Sequence, residues 1–316
     1  MYYPYLRAKQ FELLALREFA GKYSPNNRIV PIIEPVKKQM NGLNTAITTL
    51  IDYNFPFAVI LNPGEGDFKH PSVDNDILAE LPILVSVKQH WIPAYIYKSN
   101  STRLLDHACY NDLSNLMIII PSSADIDNED LSLLLTNDLV SYIVCEGLGN
   151  NRSLRSRLRK LGKKLISLED RFNSKPRNAD YADHPDELFS EDFAYYKDDG
   201  LAGFSDYTPM PKDYVEGGML PYAIAIHLTY QKSDDQIFVH HFVSDSNFDQ
   251  ANIRGKFHEA VIKIAPFVAQ INVYQTAAIR ELIDRSSSDD GYPGLGYLKK
   301  LTILNHLELL HHLLPQ

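Results

Sequence analysis

The chain has 316 residues, of which 45% are apolar and 22% are charged, and its formal net charge is -9. The apolar content excludes a disordered chain, and the acidic balance argues against general coating of nucleic acid or of an anionic membrane. Two cysteines, Cys109 and Cys145, do not make a disulfide framework and favour a cytoplasmic location. The N-terminal residues lack the apolar core of a signal peptide, and no apolar run is long enough to span a bilayer.

Eight short apolar runs recur along the first two thirds of the chain. Each run is apolar on both faces, which is typical of a parallel strand that is covered on both sides. The runs begin at Tyr2, Ile29, Pro56, Trp91, Leu116, Leu139, Lys164 and Leu201. Helical patterns fill most of the gaps between them, so the sequence predicts an α/β fold of the (β/α)8 TIM-like barrel type. An open, doubly wound sheet is the alternative, and the count of eight favours the barrel.

The regular alternation ends after the eighth run. The segments PYAIAIHLTY and QIFVHHFVS flank the polar loop QKSDDQ, which predicts a β-hairpin insertion within residues 207–246. In a barrel this insertion would lie on the face that carries active sites. A helical pattern over residues 247–269 is predicted to be the eighth barrel helix, and the leucine-rich tail within residues 287–316 to pack on the barrel as an extra helix. We expect residues 1–316 to form a single domain.

Polar residues stand where the predicted barrel strands end. The carboxyl ends of barrel strands meet at one mouth, so these side chains are expected to gather there. The candidate catalytic carboxylates are Glu34, Glu146, Glu169 and Asp206. Of these, Glu34, Glu169 and Asp206 are candidate ligands of Mg²⁺ or Mn²⁺, which bind hard oxygen donors. The candidate ligand-binding residues are Arg7, Lys9, Asn62 and Lys98, of which Arg7 and Lys9 would hold a phosphate or balance the acids. Structural ion pairs are the alternative for the charged members of this set.

The loop NPGEGD, residues 62–67, follows the third strand and contains two glycines. Its backbone N–H groups could approach an anion, but a plain turn is the favoured interpretation because the loop matches neither phosphate-binding fingerprint.

Histidines of the hairpin form a second local pattern. His227 is predicted to lie almost opposite His241, where a cross-strand pair could bind a metal or transfer a proton. A structural role is favoured because no third ligand stands nearby in the sequence. The histidines of the tail, including His306, lack a metal-binding spacing and are predicted to lie on the surface.

The run NRSLRSRLRKLGKK carries seven cations between Arg152 and Lys164. Its leucines are predicted to face the barrel, which leaves the cations on the exposed arc. Arg152, Arg155 and Arg159 are therefore candidate partner-binding residues for nucleic acid, a nucleotide phosphate or an acidic protein. A solvated helix face is the alternative, and the acid-rich stretch after Arg171 is a candidate intramolecular neighbour.

The segments MYYPYLRAKQFELLALRE, IVPIIEPVKK and LAGFSDYTPM, followed by a hairpin that contains HLTY, resemble the phage-type beta-protein family of phages and bacteria. The resemblance covers most of the chain in order. It implies a barrel in a mobile-element or antiphage setting, beside a partner protein such as a nuclease, and it supplies no catalytic assignment.

Two functions follow from these observations. The first is a barrel protein of a phage or antiphage system that binds a partner protein or a small phosphorylated ligand at its polar mouth. A sensor of a small ligand would use the same mouth without any chemical reaction. The alternative is a divalent-metal-dependent phosphodiester hydrolase that uses the four strand-end carboxylates. We place binding before catalysis because the sequence contains no complete catalytic motif.

Overall fold

The computed structural model of the protein describes residues 1–69, 76–217, 220–287 and 291–315. Parts of the predicted insertion (218–219) and of the predicted tail (288–290 and 316) lie outside these ranges. Eight parallel strands alternate with helices and form a nearly closed barrel, which confirms the predicted fold class. In barrel order the strands are β1 (Tyr5–Leu6), β2 (Ile32–Ile33), β3 (Phe57–Ile60), β4 (Trp91–Ile96), β5 (Leu116–Ile120), β6 (Val140–Glu146), β7 (Lys164–Glu169) and β9 (Gly203–Asp206). Between β7 and β9 the chain forms β8 (Asp186–Ser190), which lies outside the barrel.

The first and last barrel strands are joined just before β1. Tyr2 forms a parallel bridge with Phe204, and the Tyr3 backbone N–H donates a hydrogen bond of 2.8 Å to the Phe204 carbonyl. The helices before β9 are α1 (Gln10–Tyr23), α2 (Asn41–Asp52), α3 (Ile77–Glu80), α4 (Pro82–Ser86), α5 (Ser101–Tyr110), α6 (Glu129–Thr136), α7 (Arg152–Arg159) and α8 (Asp192–Tyr195). The elements after β9 are β10 (Ala225–Ser233), β11 (Gln236–Val243), α9 (Ile253–Val261), α10 (Ile264–Ile271), α11 (Ala277–Ser286) and α12 (Leu295–Leu313).

Alternate residues of each barrel strand face either the interior or the surrounding helices, as the two-residue period of a strand requires. On β5, for example, Met117 and Ile119 pack with other strand residues inside the barrel. Leu116, Ile118 and Ile120 pack in the larger core that includes the helices. Both faces of the strands are therefore apolar, which explains the continuous apolar runs in the sequence.

The predicted hairpin is confirmed, and it carries a third strand that the sequence does not predict. β10 pairs antiparallel with β11, and β11 pairs antiparallel with β8. β8 belongs to the acid-rich stretch, begins at Asp186, and leaves Leu188 half exposed. A short polar strand of this kind contains no continuous apolar run, so periodicity does not reveal it.

The last helix, α12, packs against α1 and β10. Residues 300–310 of α12 are all buried, so the helix is covered around its whole circumference. The prediction that residues 247–269 form the eighth barrel helix is wrong, because this segment contains α9 and α10, and α9 packs against the hairpin and α11. Among the described residues, no helix is both long and apolar enough to cross a membrane.

Candidate functional site

Two tyrosine–glutamate pairs flank an arginine at the mouth of the barrel. The Tyr5 hydroxyl donates to Glu34 Oε2 at 2.7 Å, and the Tyr207 hydroxyl donates to Glu146 Oε1 at 3.2 Å. The two tyrosine rings lie 5.1 Å apart between centroids. Arg7 Cζ lies 5.0 Å from the Tyr207 ring centroid and 6.0 Å from that of Tyr5. We call these five residues the mouth cluster, since each lies on a barrel strand or one residue beyond it and follows the alternation of the interior face.

Arg7 is buried with 8% of its surface exposed. Its two terminal nitrogens donate to backbone carbonyl oxygens of Pro211, at 3.4 Å, and of Lys212. Among the described residues, its buried Nε has no hydrogen-bond partner. A buried guanidinium is costly unless charged or polar partners compensate it, so the mouth holds a cation whose hydrogen-bonding capacity is only partly used.

The two glutamates of the mouth cluster differ in their tendency to ionise. Burial raises the pKa of Glu34, although the Gly64 backbone N–H at 3.0 Å and the Tyr5 hydroxyl oppose this shift. Burial also acts to raise the pKa of Glu146, but the Lys212 ammonium and the Ser122 backbone N–H at 2.9 Å outweigh it, so the pKa is lowered. Because their pKa values shift in opposite directions, Glu34 tends to keep its proton whereas Glu146 tends to stay a charged carboxylate.

A segment of the chain lies across this mouth. We call residues 208–217, which follow β9, the strap. Lys212 of the strap forms an ion pair with Glu146, and Glu216 forms one with Lys37. Lys9 Nζ lies 3.4 Å from the Val215 carbonyl oxygen. The strap therefore covers the mouth cluster with contacts on both sides.

A polar cavity of about 450 Å³ lies beside the strap. The residues that line it come from the segment after β7 and from the strap: Asp170, Arg171, Phe172, Asn173, Ser174, Lys212 and Asp213. Lys212 thus lines this cavity and also contacts Glu146 of the mouth cluster.

Glu169 and Asp206 face away from the mouth, on the helix side of their strands. Glu169 Oε1 accepts a hydrogen bond of 2.6 Å from the Gly149 backbone N–H, and burial raises the pKa of this carboxyl. Asp206 is 1% exposed and accepts hydrogen bonds from the Tyr2 hydroxyl at 2.6 Å and the Thr208 backbone N–H at 2.8 Å. Both carboxylates therefore form hydrogen bonds within the fold, on the strand face that points to the helices and away from the mouth cluster.

The structure does not bring the predicted metal ligands Glu34, Glu169 and Asp206 together. Among the described residues, no group of three or more histidine, cysteine, aspartate or glutamate side chains is placed to hold one metal ion. The reason is the alternation of strand faces, because Glu34 is on the interior face whereas Glu169 and Asp206 are on the other. Their role as shared ligands of Mg²⁺ or Mn²⁺ stays a prediction that this arrangement does not favour.

Two other predicted ligand-binding residues, Asn62 and Lys98, bind the loops at the rim. The Asn62 side chain donates to the Ile96 carbonyl at 2.7 Å and accepts from the Ile96 N–H at 2.8 Å, so it connects the ends of β3 and β4. Lys98 Nζ donates to the carbonyls of Asn62, at 2.9 Å, and Pro63, at 3.1 Å. Both residues are therefore at the predicted end of the barrel, with structural hydrogen bonds.

The basic helix α7 is partly engaged by the acid-rich stretch, as the sequence suggests. Arg155 forms an ion pair of 2.9 Å with Asp199, and the Arg159 guanidinium lies against Gly200. Arg152 is exposed. The partner-binding role of these arginines stays a prediction, and Arg155 is the member whose ion pair with Asp199 a partner would have to break.

His306 lies in the core, so its predicted surface position is wrong. It is fully buried on α12, its Nδ1 lies 3.0 Å from Thr229 Oγ1, and its Nε2 lies 3.5 Å from Asp206 Oδ2. A signal for this burial is present in the sequence. The segment LTILNHLELL has apolar residues around the whole circumference of the helix, which is typical of a helix that is covered on all sides.

His227 and His241 are Cα partners in the hairpin, which confirms the predicted register. Phe172 and Tyr181 pack against both imidazole rings. Burial lowers the pKa of His227 to about 3 and that of His241 to about 4. The pair is therefore neutral at neutral pH and belongs to the packing between the hairpin and the barrel.

The comparisons with protein-family models and with curated proteins supply no known site to set beside the mouth cluster. The chain matches no protein-family model and no curated protein, so its resemblance to the phage-type beta-protein family stays a prediction.

Proposed function

We propose that this protein binds a small phosphorylated ligand at the barrel mouth, with Arg7 as the anchoring residue. The observation that carries the proposal is the state of the Arg7 guanidinium. It is buried at the mouth, its terminal nitrogens bond to neutral carbonyls of the strap, and its Nε has no partner among the described residues. A phosphate would supply charged acceptors for the same planar set of donors.

The surroundings of Arg7 support an anionic ligand. Lys9 stands next to it on the rim, with its Nζ 4.5 Å from the Tyr214 ring centroid. Lys37, also at the rim, already holds a carboxylate, that of Glu216. A ligand that carries phosphate would meet several cations here, and the tyrosine rings of the mouth cluster would contact its apolar part.

The geometry favours binding over metal-assisted hydrolysis. Hydrolysis of a phosphodiester by divalent metal ions needs several oxygen ligands around one ion. The described carboxylates form no such group, and Glu169 and Asp206 face the helices. Ligand binding is therefore the function that the mouth supports better than hydrolysis.

Calorimetric titration with pyrophosphate and with adenosine monophosphate tests this proposal. Wild-type protein should bind at least one of these probes, and Arg7→Gln should weaken binding tenfold or more because it removes a charged bidentate donor. Arg7→Lys, which keeps the charge but not the planar fork, should fall between them. Arg280→Gln changes an exposed arginine on α11, outside the mouth and the basic helix, and is the matched control that should bind like wild type. Equal affinities of folded Arg7→Gln and wild type would reject the proposal.

The phage or antiphage setting, a cytoplasmic location and a partner protein encoded nearby form a broader proposal that rests on the sequence resemblance. Co-expression with neighbouring genes followed by purification of this chain tests it. A partner that binds the basic helix should be released by Arg152→Glu, whereas a chain that purifies alone with every neighbour argues against a partner.

A further inference from the structure

We infer that the strap is an internal occupant of the mouth, which a ligand must displace before it reaches Arg7. This inference rests on the proposed function and concerns the regulation of the same site. The strap is part of the same chain, so its local concentration at the mouth is high and it competes with any ligand.

The strap uses the groups that an anionic ligand would need. Its backbone carbonyls at Pro211 and Lys212 accept hydrogen bonds from Arg7. Its Glu216 carboxylate neutralises Lys37, and its Val215 carbonyl lies near Lys9. In each case the strap supplies an oxygen acceptor to a cation of the rim, which is the role that phosphate oxygens would take.

On another side of the mouth the charges are reversed, because there the strap supplies the cation and the barrel supplies the carboxylate. Lys212 of the strap lies against Glu146, whose carboxylate also accepts hydrogen bonds from Tyr207 and Ser122. The ammonium therefore compensates the acid that would otherwise repel an anionic ligand. A ligand that displaces the strap would lose this compensation unless Lys212 stays beside it, which the adjacent cavity allows.

Contacts with side chains of the barrel rim, and not a ladder of backbone hydrogen bonds, hold the strap in place. It forms no helix or strand, and Pro209 and Pro211 have no backbone N–H to donate. It starts from a fixed point, because the Thr208 N–H is bonded to Asp206 and Thr208 has a positive φ of 59°. Gly217, at its other end, has a φ of 80°. Displacement of the segment between these points breaks the ion pairs with Glu146 and Lys37 and the hydrogen bonds from Arg7, but it breaks no strand pairing.

The competition has a measurable consequence. The apparent dissociation constant of a ligand rises as the fraction of open mouths falls. One exposed ion pair shifts such an equilibrium by up to about fivefold. Glu216→Gln removes the pair with Lys37 and keeps Lys212 beside Glu146, so it should tighten pyrophosphate binding by a factor in this range.

Chemical labelling of Arg7 measures the opening without any ligand. Phenylglyoxal modifies accessible guanidinium groups, and peptide mass spectrometry gives the rate at Arg7 relative to the exposed Arg152 of the same molecule. The ratio should be low in wild type and should rise by up to about fivefold in the Glu216→Gln variant. The double variant Lys88→Ala, Asp112→Asn removes an ion pair elsewhere and should leave the ratio unchanged.

The two readouts separate the strap from the ligand site. Faster labelling together with tighter pyrophosphate binding supports both the inference and the proposed function. Faster labelling without pyrophosphate binding to wild type or variant supports the strap as a cover of the mouth and rejects the phosphorylated ligand. An unchanged Arg7 labelling ratio overturns the inference, as does tight probe binding that is equal in wild type and variant.

Discussion

The Nδ1 atoms of His227 and His241 lie 2.7 Å apart across the hairpin. Such a contact requires one imidazole to donate its Nδ1 proton and the other to accept it. Protonation of both rings would remove the acceptor and place two positive charges in contact. His241 Nε2 lies 3.5 Å from Glu187 Oε2, which only partly offsets the burial that lowers the pKa of His241. The pair is therefore a source of acid sensitivity.

We predict that the free energy of unfolding decreases as the pH falls from about 6.5 towards about 4. The folded pKa values of His227 and His241, about 3 and about 4, lie below the value of 6.5 expected in the unfolded chain. In this interval the unfolded state binds more protons than the folded state, so acid favours unfolding. Each histidine contributes a slope of at most about 1.4 kcal/mol per pH unit.

Urea denaturation at several pH values between 4.5 and 7.5 measures this slope. The double variant His227→Phe, His241→Phe keeps ring-shaped side chains and removes both titrating groups, so its stability should depend less on pH. His258→Gln changes an exposed histidine on α9 and should keep the wild-type slope. The interpretation fails if the double variant and wild type share one slope.

The glycine loop after β3 should respond very differently to the same substitution at its two glycines. Gly66 has a φ of 60°, and a Cβ there would lie 2.1 Å from the Val36 carbonyl oxygen. At Gly64 the nearest atom to a Cβ is the flexible Lys98 Nζ, at 3.2 Å. We expect Gly66→Ala to lower the free energy of unfolding by roughly 1–3 kcal/mol or more, because it combines a left-handed conformation with a backbone clash.

Gly64→Ala is the matched control, and we expect a change within about 1 kcal/mol because Lys98 can move. Thermal denaturation of both variants tests the difference. Equal melting temperatures would mean that the loop can rearrange around Gly66. This result would show that the turn does not require glycine at position 66, and it would favour the anion-binding interpretation of the loop.

The barrel could be predicted because each of its strands is covered on both faces. Strands such as β3 and β5 are entirely buried, so the sequence shows them as apolar runs of one strand length. β8 lacks this signature because, among the described strands, it pairs with β11 alone, and it exposes part of its surface. The same physical rule thus explains the strands that periodicity finds and the one that it does not.

The composition of the mouth could be predicted only in part. The ends of the strands place Arg7, Glu34 and Glu146 at one opening, as expected from the fold. The alternation of faces, which is readable from the sequence once a strand is assigned, separates Glu169 and Asp206 from them. The strap has no periodic pattern, and its position depends on ion pairs between residues far apart in the chain, such as Lys37 with Glu216.

The arginines of α7 should differ in their contribution to stability. Arg155 is paired with Asp199 and has 18% of its side chain exposed, whereas Arg152 is exposed at the first position of the helix. Arg155→Ala should lower the free energy of unfolding by up to about 1 kcal/mol, and Arg152→Ala should change it by less than about 0.5 kcal/mol. Urea denaturation compares them, and a larger loss for Arg152→Ala would contradict the assignment.

Asp206 should be required for folding stability, since it joins several parts of the fold. It accepts hydrogen bonds from Tyr2 before β1 and from Thr208 at the start of the strap, and it lies near His306 of α12. Asp206→Ala would leave the buried Tyr2 hydroxyl and the Thr208 N–H without their acceptor. We expect a loss of about 2–4 kcal/mol in the free energy of unfolding.

Asp206→Asn keeps the size and one acceptor oxygen, so it should lose less than Asp206→Ala. Asp170→Ala, at the exposed end of the neighbouring strand, is the control and should change the free energy of unfolding by less than about 0.5 kcal/mol. Urea denaturation with parallel pyrophosphate titration gives the decisive comparison. If Asp206→Ala kept wild-type stability but lost probe binding, Asp206 would have to act at the mouth, and the division of the strand-end carboxylates by strand face would be wrong.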